Sequence, residues 1–280
     1  MAEGQRQLAA LRNVAERAVR VADLGVPEPW GPRPGDNARE TCDTMMDVSF
    51  DVAPILEEPV TRYVLQEDLA QAPHDLPVDH LARDLRANDL VASALPLADA
   101  LELLEGRNWY FMLEGNTICG ILTTADLQVL PVSIVVLGFI LSAEAGIDEL
   151  IEEHVGEEWS DLLTEGRLEK IDQVFRERTS RNAETTRRAC LNLDDRLTIA
   201  CKNQAIRSAL GASRRDLERA GKSIKRLRDT LAHGESILDV ADDALTGIRA
   251  ARAAREFADR VWSTLPTIDG EGSVQPITSP

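Results

Sequence analysis

A predominantly apolar segment, VLPVSIVVLGFILSA at residues 129–143, constrains the fold of this chain more than any other feature of its sequence. The apolar side chains of such a segment are buried away from water, either in a bilayer or in a protein core. A membrane-spanning helix needs about 20 apolar residues, whereas this segment is shorter and contains a proline near its start. We therefore predict a buried helix over residues 131–154 that connects two domains or self-associates, and we expect no contact with a membrane.

Residues 38–126 precede this segment and contain two unequal copies of one pattern. The second copy, VASALPLADALELLEGRNWYFMLEGNTICGILTTADL, predicts a strand near Val91, a helix after Pro96, strands at residues 109–113 and 117–123, and a final helix. The first copy, DTMMDVSFDVAPILEEPVTRYVLQEDL, shows the same order of strand, turn, strand and helix start. Repeated β-α-β-β-α units predict an α+β fold for the first half of the chain.

The end of the second copy resembles the signature of the CBS domain, a small module that occurs in tandem pairs. Gly120, Thr123 and Asp126 fit its pattern G-h-x-T-x-x-D, in which h is an apolar residue. The resemblance implies a tandem CBS module at residues 38–130 with a pocket for an adenine nucleotide, in which Asp126 accepts hydrogen bonds from ribose hydroxyls and Thr123 donates one to a phosphate. The same residues also fit a helix cap, since a threonine followed by an acid three residues later satisfies the first helical N–H groups.

The first copy departs from this signature. Asp68 aligns with Asp126, but Leu65 stands at the threonine position and Arg62 at the glycine position. Either this pocket is lost, or it uses Arg62 for a different anion. Arg62 and Asp68 are therefore kept as candidate ligand-binding residues.

The rest of the chain divides into three further regions. Residues 155–265 show helical periodicity in four amphipathic segments with short breaks, which predicts an antiparallel helical bundle. Residues 1–37 contain an N-terminal helix and then a linker or irregular arm, GVPEPWGPRPGDN. Because the N-terminal helix lacks the apolar core of a secretory signal, we expect a cytoplasmic protein. Residues 266–280 lack periodicity and are expected to be disordered.

Charge is distributed unevenly between the two halves. Residues 1–154 carry 27 acidic and 10 basic side chains, whereas residues 155–280 carry 21 of each. Within the second half, residues 165–228 hold 17 basic against 9 acidic residues. Such a basic region is compatible with nucleic acid as a partner. It is equally compatible with helical faces whose arginines pair with nearby carboxylates.

The segment KRLRDTLAHG, at the end of the third amphipathic segment, allows two interpretations. In the first, it is a helix end, because its leucines keep a helical spacing and Gly234 supplies the left-handed residue that commonly closes a helix. In the second, Arg228 and His233 form an R-x4-H motif, a permanent cation and a titratable base that could act on one phosphodiester.

The helical region resembles the HEPN superfamily, whose ribonucleases carry R-x(4–6)-H, often with a polar residue after the arginine, as Asp229 is here. The resemblance implies metal-independent RNA cleavage in which His233 transfers protons and Arg228 stabilises the charge of the phosphorane. Asp229 would orient either His233 or Arg228. A five-residue step turns a side chain by about 140° on an ideal helix. Arg228 and His233 therefore diverge unless the helix breaks at Gly234 or two subunits contribute to one site, and the resemblance implies a homodimer.

These observations predict a cytoplasmic homodimer in which a CBS pair senses an adenine nucleotide and controls a HEPN-type ribonuclease, for defence or growth arrest. The chemistry needs no cofactor, and the spacing of the four cysteines and four histidines does not suggest a metal site. One alternative is a dimeric nucleotide sensor without catalysis, whose helical domain docks a protein or RNA partner. Another is a module that binds nucleic acid without cleaving it.

Overall fold

The structure is a computed structural model that describes residue 17 and residues 19–265. These residues form two compact units, residues 19–129 and a second unit that contains residues 130–265. The first 16 residues of the predicted N-terminal helix and the predicted tail at residues 266–280 lie outside the described residues.

The first unit contains two small sheets with short helices. Its strands and α-helices are, in chain order, β1 (Val26–Pro27), α1 (Ala38–Asp47), β2 (Val52–Pro54), β3 (Arg62–Leu65), α2 (Gln66–Leu69), β4 (Arg83–Asp84), β5 (Leu90–Ala92), α3 (Leu97–Gly106), β6 (Trp109–Glu114) and β7 (Thr117–Thr123). One sheet has the antiparallel order β2-β3-β4. The other has the order β1-β7-β6-β5, in which β5 is parallel to β6 and the remaining pairs are antiparallel.

The second copy follows the predicted order of strand, helix, strand and strand. Gly115 has a φ of 61°, so it provides the left-handed residue at the turn between β6 and β7. The predicted final helix differs: the chain forms a 3-10 turn, Thr124–Gln128, and an α-helix starts only at Leu130. The reason is local, because Val129 is extended, with a ψ of 149°, and separates the two elements.

The first copy also has the predicted strand, turn, strand and helix start, although α2 has only four residues. Its core is formed where α1 and α2 pack against the β2-β3-β4 sheet. The fully buried side chains there include Met45, Ile55, Val64 and Leu69. This core holds β3, and with it the candidate Arg62, in place.

The proline- and glycine-rich stretch is part of the first unit and not a free linker. Val26 and Pro27 pair with Ile121 and Gly120 of β7, and a proline is tolerated there because β1 is an edge strand. A Cβ atom on Gly120 would lie 2.5 Å from the carbonyl oxygen of Val26. The glycine of the CBS-like signature therefore has a structural role, since it allows β1 to approach β7.

The second unit is helical in its described part. Its α-helices are α4 (Leu130–His154), α5 (Glu165–Ser180), α6 (Leu193–Lys202), α7 (Gln204–Ala209), α8 (Arg214–Ala232) and α9 (Ala244–Ser263). The second predicted segment is divided into α6 and α7, because Asn203 is extended and its side chain accepts a hydrogen bond from the N–H of Ile206. Helical periodicity located these segments but not the break within one of them.

Helix α4 is the central helix of the second unit, whereas the sequence suggested a connection between domains. It packs against α6, α8 and α9, and the indole Nε1 of Trp262 in α9 donates a hydrogen bond of 2.7 Å to the hydroxyl of Ser142. By length and composition α4 could cross a membrane, with a mean hydropathy of 2.0 over its most apolar 18 residues. However, 61% of that window is buried within the protein, as is usual for a core helix.

Candidate functional site

Thr123 and Asp126 lie at the end of β7, where they form the predicted helix cap. One carboxylate oxygen of Asp126, Oδ2, accepts hydrogen bonds from the backbone N–H of Thr123 (2.6 Å) and from its hydroxyl (2.9 Å). The hydroxyl of Thr123 can therefore donate to a phosphate only if it leaves Asp126. The other carboxylate oxygen of Asp126, Oδ1, accepts no hydrogen bond from a described residue, so it remains available as an acceptor for a hydroxyl group.

The environment of Asp126 favours an additional donor. Burial raises the pKa of this carboxyl group above its ordinary value, although the two hydrogen bonds from Thr123 act in the opposite direction. A carboxylate that has lost part of its hydration is stabilised when another hydrogen-bond donor approaches it. The hydroxyls of a ribose are donors of this kind, so the capping interpretation and the ligand-binding interpretation are compatible at Asp126.

An aromatic cluster adjoins this cap. In the ladder between β6 and β7, Trp109 stands opposite Thr123 and Phe111 stands opposite Ile121. Opposed residues project from the same face of a sheet with Cβ atoms about 5 Å apart. The ring of Tyr63 in β3 contacts this face, with its centroid 5.2 Å from that of Trp109. The two sheets of the first unit therefore meet beside the candidate ligand-binding threonine.

Arg107 covers one face of Trp109. Its guanidinium carbon lies 3.5 Å from the ring centroid, and its Nη1 atom is 2.5 Å from a carboxylate oxygen of Asp89. Sequence reasoning did not identify Arg107 or Trp109 as site residues. The available signal was the alternation within β6, which places Trp109 and Phe111 on one face, but the alternation alone does not show what faces them.

The candidate residues of the first copy are bound to other side chains. Arg62 donates to both carboxylate oxygens of Glu57 (2.6 and 3.1 Å), and it also lies 3.1 Å from Asp79. The hydrogen bonds from Arg62 lower the pKa of Glu57 to about 2. Asp68 accepts two hydrogen bonds from Arg83, of 2.8 and 2.9 Å. Two carboxylates balance the charge of Arg62, so it offers less attraction to an anion than its position in the sequence suggested.

In the second unit, the end of α8 forms one wall of an open groove of about 410 Å³. The groove is lined by Lys222, Lys225, Arg226, Asp229, Thr230, His233 and Glu235. It thus brings together two of the three predicted catalytic residues. Arg228, the third, does not line this groove, and its guanidinium donates to the carboxylate of Asp229 at 2.9 and 3.2 Å.

His233 lies at the C-terminal end of α8. Its backbone N–H donates to the carbonyl oxygens of Asp229 and Thr230, and Gly234 follows with a φ of 81°. The helix therefore ends as the first interpretation of KRLRDTLAHG predicts. The imidazole of His233 is exposed to solvent in the groove, so this helix end still leaves it accessible to a substrate.

Much of the basic region is neutralised by ion pairs. Arg196, with only 11% of its side chain exposed, binds Glu144 and Asp148 of α4 at 2.9 and 3.1 Å. Arg188 binds Asp148 and Glu152 of the same helix. Further ion pairs join Arg167 to Asp195, Arg187 to Asp172, Arg214 to Glu218 and Lys225 to Asp194. For these residues, the interpretation of helical faces whose arginines pair with nearby carboxylates therefore holds. Part of the negative charge comes from α4, outside residues 165–228.

The structure gives no indication of a metal centre in its described part. Across residue 17 and residues 19–265, no three histidine, cysteine, aspartate or glutamate side chains are grouped so that they could hold a metal ion. The four cysteines are free thiols.

Comparisons with known proteins concern the first unit. No family model matches the chain, and no curated protein matches it. Solved structures of CBS-domain proteins are similar to the N-terminal part of the chain. They include the CBS domains of a transcriptional regulator from Streptococcus pneumoniae, with 17% identity over 39% of this chain and 95% of that chain and a TM-score of 0.34.

Two further similar structures are complexes with nucleotides. CBSX2 in complex with AMP is 16% identical over 38% of this chain and 91% of that chain, with a TM-score of 0.33. The CBS domain of a bacterial CNNM/CorC family Mg²⁺ transporter in complex with ATP is 13% identical over 47% of this chain and 96% of that chain, with a TM-score of 0.35. What these similar structures bind is a property of those proteins.

Proposed function

We propose that the first unit is a CBS-type sensor of an adenine nucleotide and that it regulates a metal-independent ribonuclease site at the end of α8. The observation that carries the sensor is the geometry of Asp126, whose Oδ2 atom caps the turn after β7 while its Oδ1 atom remains available. This carboxylate would receive the ribose hydroxyls. The AMP and ATP complexes of similar CBS structures suggest which nucleotides to test first.

The first copy has a different role in this proposal. Arg62 and Asp68 are engaged with Glu57 and Arg83, so an anion would have to replace a carboxylate that is already bound. We therefore place the nucleotide at the second copy, with Thr123 and Asp126. Binding of a phosphate by Arg62 would require release of Glu57 and would be weak in comparison.

The proposed cleavage forms a bond between the ribose 2′-oxygen and the adjacent phosphorus and breaks the bond from phosphorus to the 5′-oxygen. His233 takes the proton from the 2′-hydroxyl, and the resulting imidazolium returns it to the departing 5′-oxygen, which leaves a 2′,3′-cyclic phosphate. The position of His233 in a groove with Lys222 and Arg226 supports this role, since both cations attract a phosphate and neither has a carboxylate at ion-pair distance among the described residues.

Arg228 supplies the charge that stabilises the phosphorane in this proposal. Because Arg228 does not line the groove of His233 in its own chain, the complete site combines Arg228 and Asp229 of one subunit with His233 of a second copy. The active form is therefore a homodimer. Light scattering coupled to gel filtration would measure a mass of twice 30.8 kDa, and a monomer at micromolar concentration would contradict the composite site.

The ribonuclease is tested by incubating labelled total RNA and tRNA without metal ions, with and without AMP or ATP. We expect cleavage by the wild type and a loss of about 100-fold or more in His233→Ala, as is usual when a general acid or base is removed. His154→Ala is the matched control, since His154 ends another helix of the same unit but does not line the groove. Equal cleavage by His233→Ala and the wild type would exclude His233 as the catalytic base.

A second candidate function is a dimeric nucleotide sensor without catalysis, whose helical unit docks a protein or RNA partner. The pairing of Arg228 with Asp229 and the glycine-terminated end of α8 favour it, because both are complete as structural features. In this case RNA stays intact under every condition, while nucleotide binding is retained. Salt-dependent binding of RNA without cleavage would identify RNA as the partner.

A further inference from the structure

We infer that Trp109 is the platform on which the purine ring of the nucleotide stacks, and that Arg107 covers this platform and is displaced when the purine binds. The inference rests on the proposed nucleotide binding by the first unit. It adds a recognition element for the base, which the CBS-like signature does not contain.

Trp109 lies beside the proposed ribose-binding residues. Trp109 is the direct cross-strand partner of Thr123, so the indole projects from the same face of the sheet as the hydroxyl that begins the cap. Asp126 is hydrogen-bonded to that hydroxyl at 2.9 Å. A ribose held at Asp126 therefore has an aromatic side chain on the neighbouring strand, and the base attached to that ribose is the group that stacks on it.

The indole ring of Trp109 is held in a fixed orientation. Tyr63 and Phe111 contact Trp109 in edge-on arrangements, with interplanar angles of 65° and 66°. Both partners are buried, with exposures of 6% and 0%, whereas Trp109 itself is only partly buried. Stacking on a ring that is already fixed loses little side-chain entropy, so the ring is well suited to bind another planar group.

The guanidinium group of Arg107 now covers the indole ring of Trp109. A guanidinium is a planar cation and stacks on an indole much as a planar base does. Its carbon lies 3.5 Å from the ring centroid, and Asp89 and the carbonyl oxygen of Asn88 hold the Nη1 atom. Arg107 therefore occupies the position that a purine requires. When the purine displaces its guanidinium from the ring, the hydrogen bonds to Asp89 and to the carbonyl oxygen of Asn88 keep Arg107 beside that position.

The displacement has opposite consequences for neutral and for charged ligands. Adenosine must remove Arg107 from the ring and gains nothing from its charge, so Arg107 weakens the binding of adenosine. ATP also displaces Arg107 but offers phosphates that the released guanidinium can bind. Arg107 thus acts as a specificity residue that favours nucleotides over nucleosides.

The test is calorimetric titration of the full chain with adenosine, ATP and CTP. In Trp109→Leu we expect affinity for ATP to fall about tenfold, as is typical when a stacked base loses its aromatic partner. In Arg107→Ala we expect affinity for adenosine to rise about threefold, since a partly exposed cation–π contact no longer has to be broken, and affinity for ATP to fall. CTP should bind the wild type more weakly than ATP because a pyrimidine overlaps the indole less.

Several outcomes separate this inference from the proposed function. Trp159→Phe, in the second unit, is the control and should bind ATP as the wild type does. If Trp109→Leu does not fold, Trp109→Phe should still bind ATP more weakly than the wild type because its ring is smaller. Unchanged ATP binding in a folded Trp109 variant, or equal effects of Arg107→Ala on adenosine and ATP, would overturn the inference alone. A wild type that binds none of the three ligands would overturn nucleotide sensing itself.

Discussion

The most specific prediction on stability concerns Arg196, which joins α6 to the central helix α4. Its guanidinium binds Glu144 and Asp148 and also donates to the carbonyl oxygen of Leu191. Arg196→Met keeps a long apolar side chain but leaves two carboxylates and one carbonyl oxygen without this donor. Breaking a fully buried ion pair by removing one partner costs about 3–5 kcal/mol.

The expected loss is at the lower end of that range. Glu144 and Asp148 keep 21% and 25% of their side-chain surface exposed, so water can solvate them in part. Arg188 also remains close to Asp148. We therefore expect a loss of about 3 kcal/mol, which corresponds to a decrease in Tm of about 10 °C for a unit of this size.

The assay is thermal and urea unfolding followed by circular dichroism at 222 nm, where the helical unit dominates the signal. Arg214→Met is the matched control, because the Arg214–Glu218 pair is an exposed contact one helical turn apart, with 64% and 47% of the two side chains exposed. This control should unfold like the wild type. If both variants unfolded at the same temperature, the buried ion pairs would not be what holds α6 against α4.

Three further predictions follow from single positions. Gly247→Ala should destabilise the second unit by about 2 kcal/mol or more, because its Cβ atom would lie 1.8 Å from the carbonyl oxygen of Ile237. Gly166→Ala, in α5 of the same unit, should not, because no atom beyond its chain neighbours and its own helix backbone lies within 4 Å of the new Cβ. The same circular dichroism melts decide this. Glu57, whose pKa falls from 4.5 to about 2, contributes stability above about pH 4.5 that is lost as the pH falls toward 2, so acid unfolding of Glu57→Gln should show a smaller loss over this range than the wild type. Burial raises the pKa of the Asp126 carboxyl group above its ordinary 3.8, so its ionisation lowers the free energy of unfolding as the pH rises through the folded-state pKa. Asp126→Asn should lack this decrease. Parallel profiles of stability against pH for the variant and the wild type would refute the raised pKa of Asp126.

The elements of the fold were largely predictable because they depend on local patterns. The alternation of side chains around β6 and β7 and the turn at Gly115 are properties of neighbouring residues. The role of residues 25–37 was not predictable, because prolines and glycines usually indicate a loop and the pairing of β1 with β7 joins residues far apart in the sequence. The same holds for α4, whose apolar composition indicated burial but not the helices that cover it.

The site was predictable in part for the same reason. Thr123 and Asp126 are three residues apart, so the hydrogen bonds between them follow from the sequence. Arg62 could be assessed only in part, because Glu57 lies five residues away but its second partner, Asp79, is distant in the sequence. The count of basic residues at 165–228 also overstated their free charge, because Glu144, Asp148 and Glu152 lie outside that range and pair with Arg188 and Arg196.

The central claim is that nucleotide binding at Asp126 controls cleavage at His233. Its most direct test is the rate of cleavage of one labelled RNA at increasing concentrations of ATP or AMP, measured for the wild type and for Asp126→Ala. We predict a saturable change in rate for the wild type and a constant rate for the variant. A wild-type rate that does not respond to either nucleotide, or RNA that stays intact at every concentration, would contradict the account.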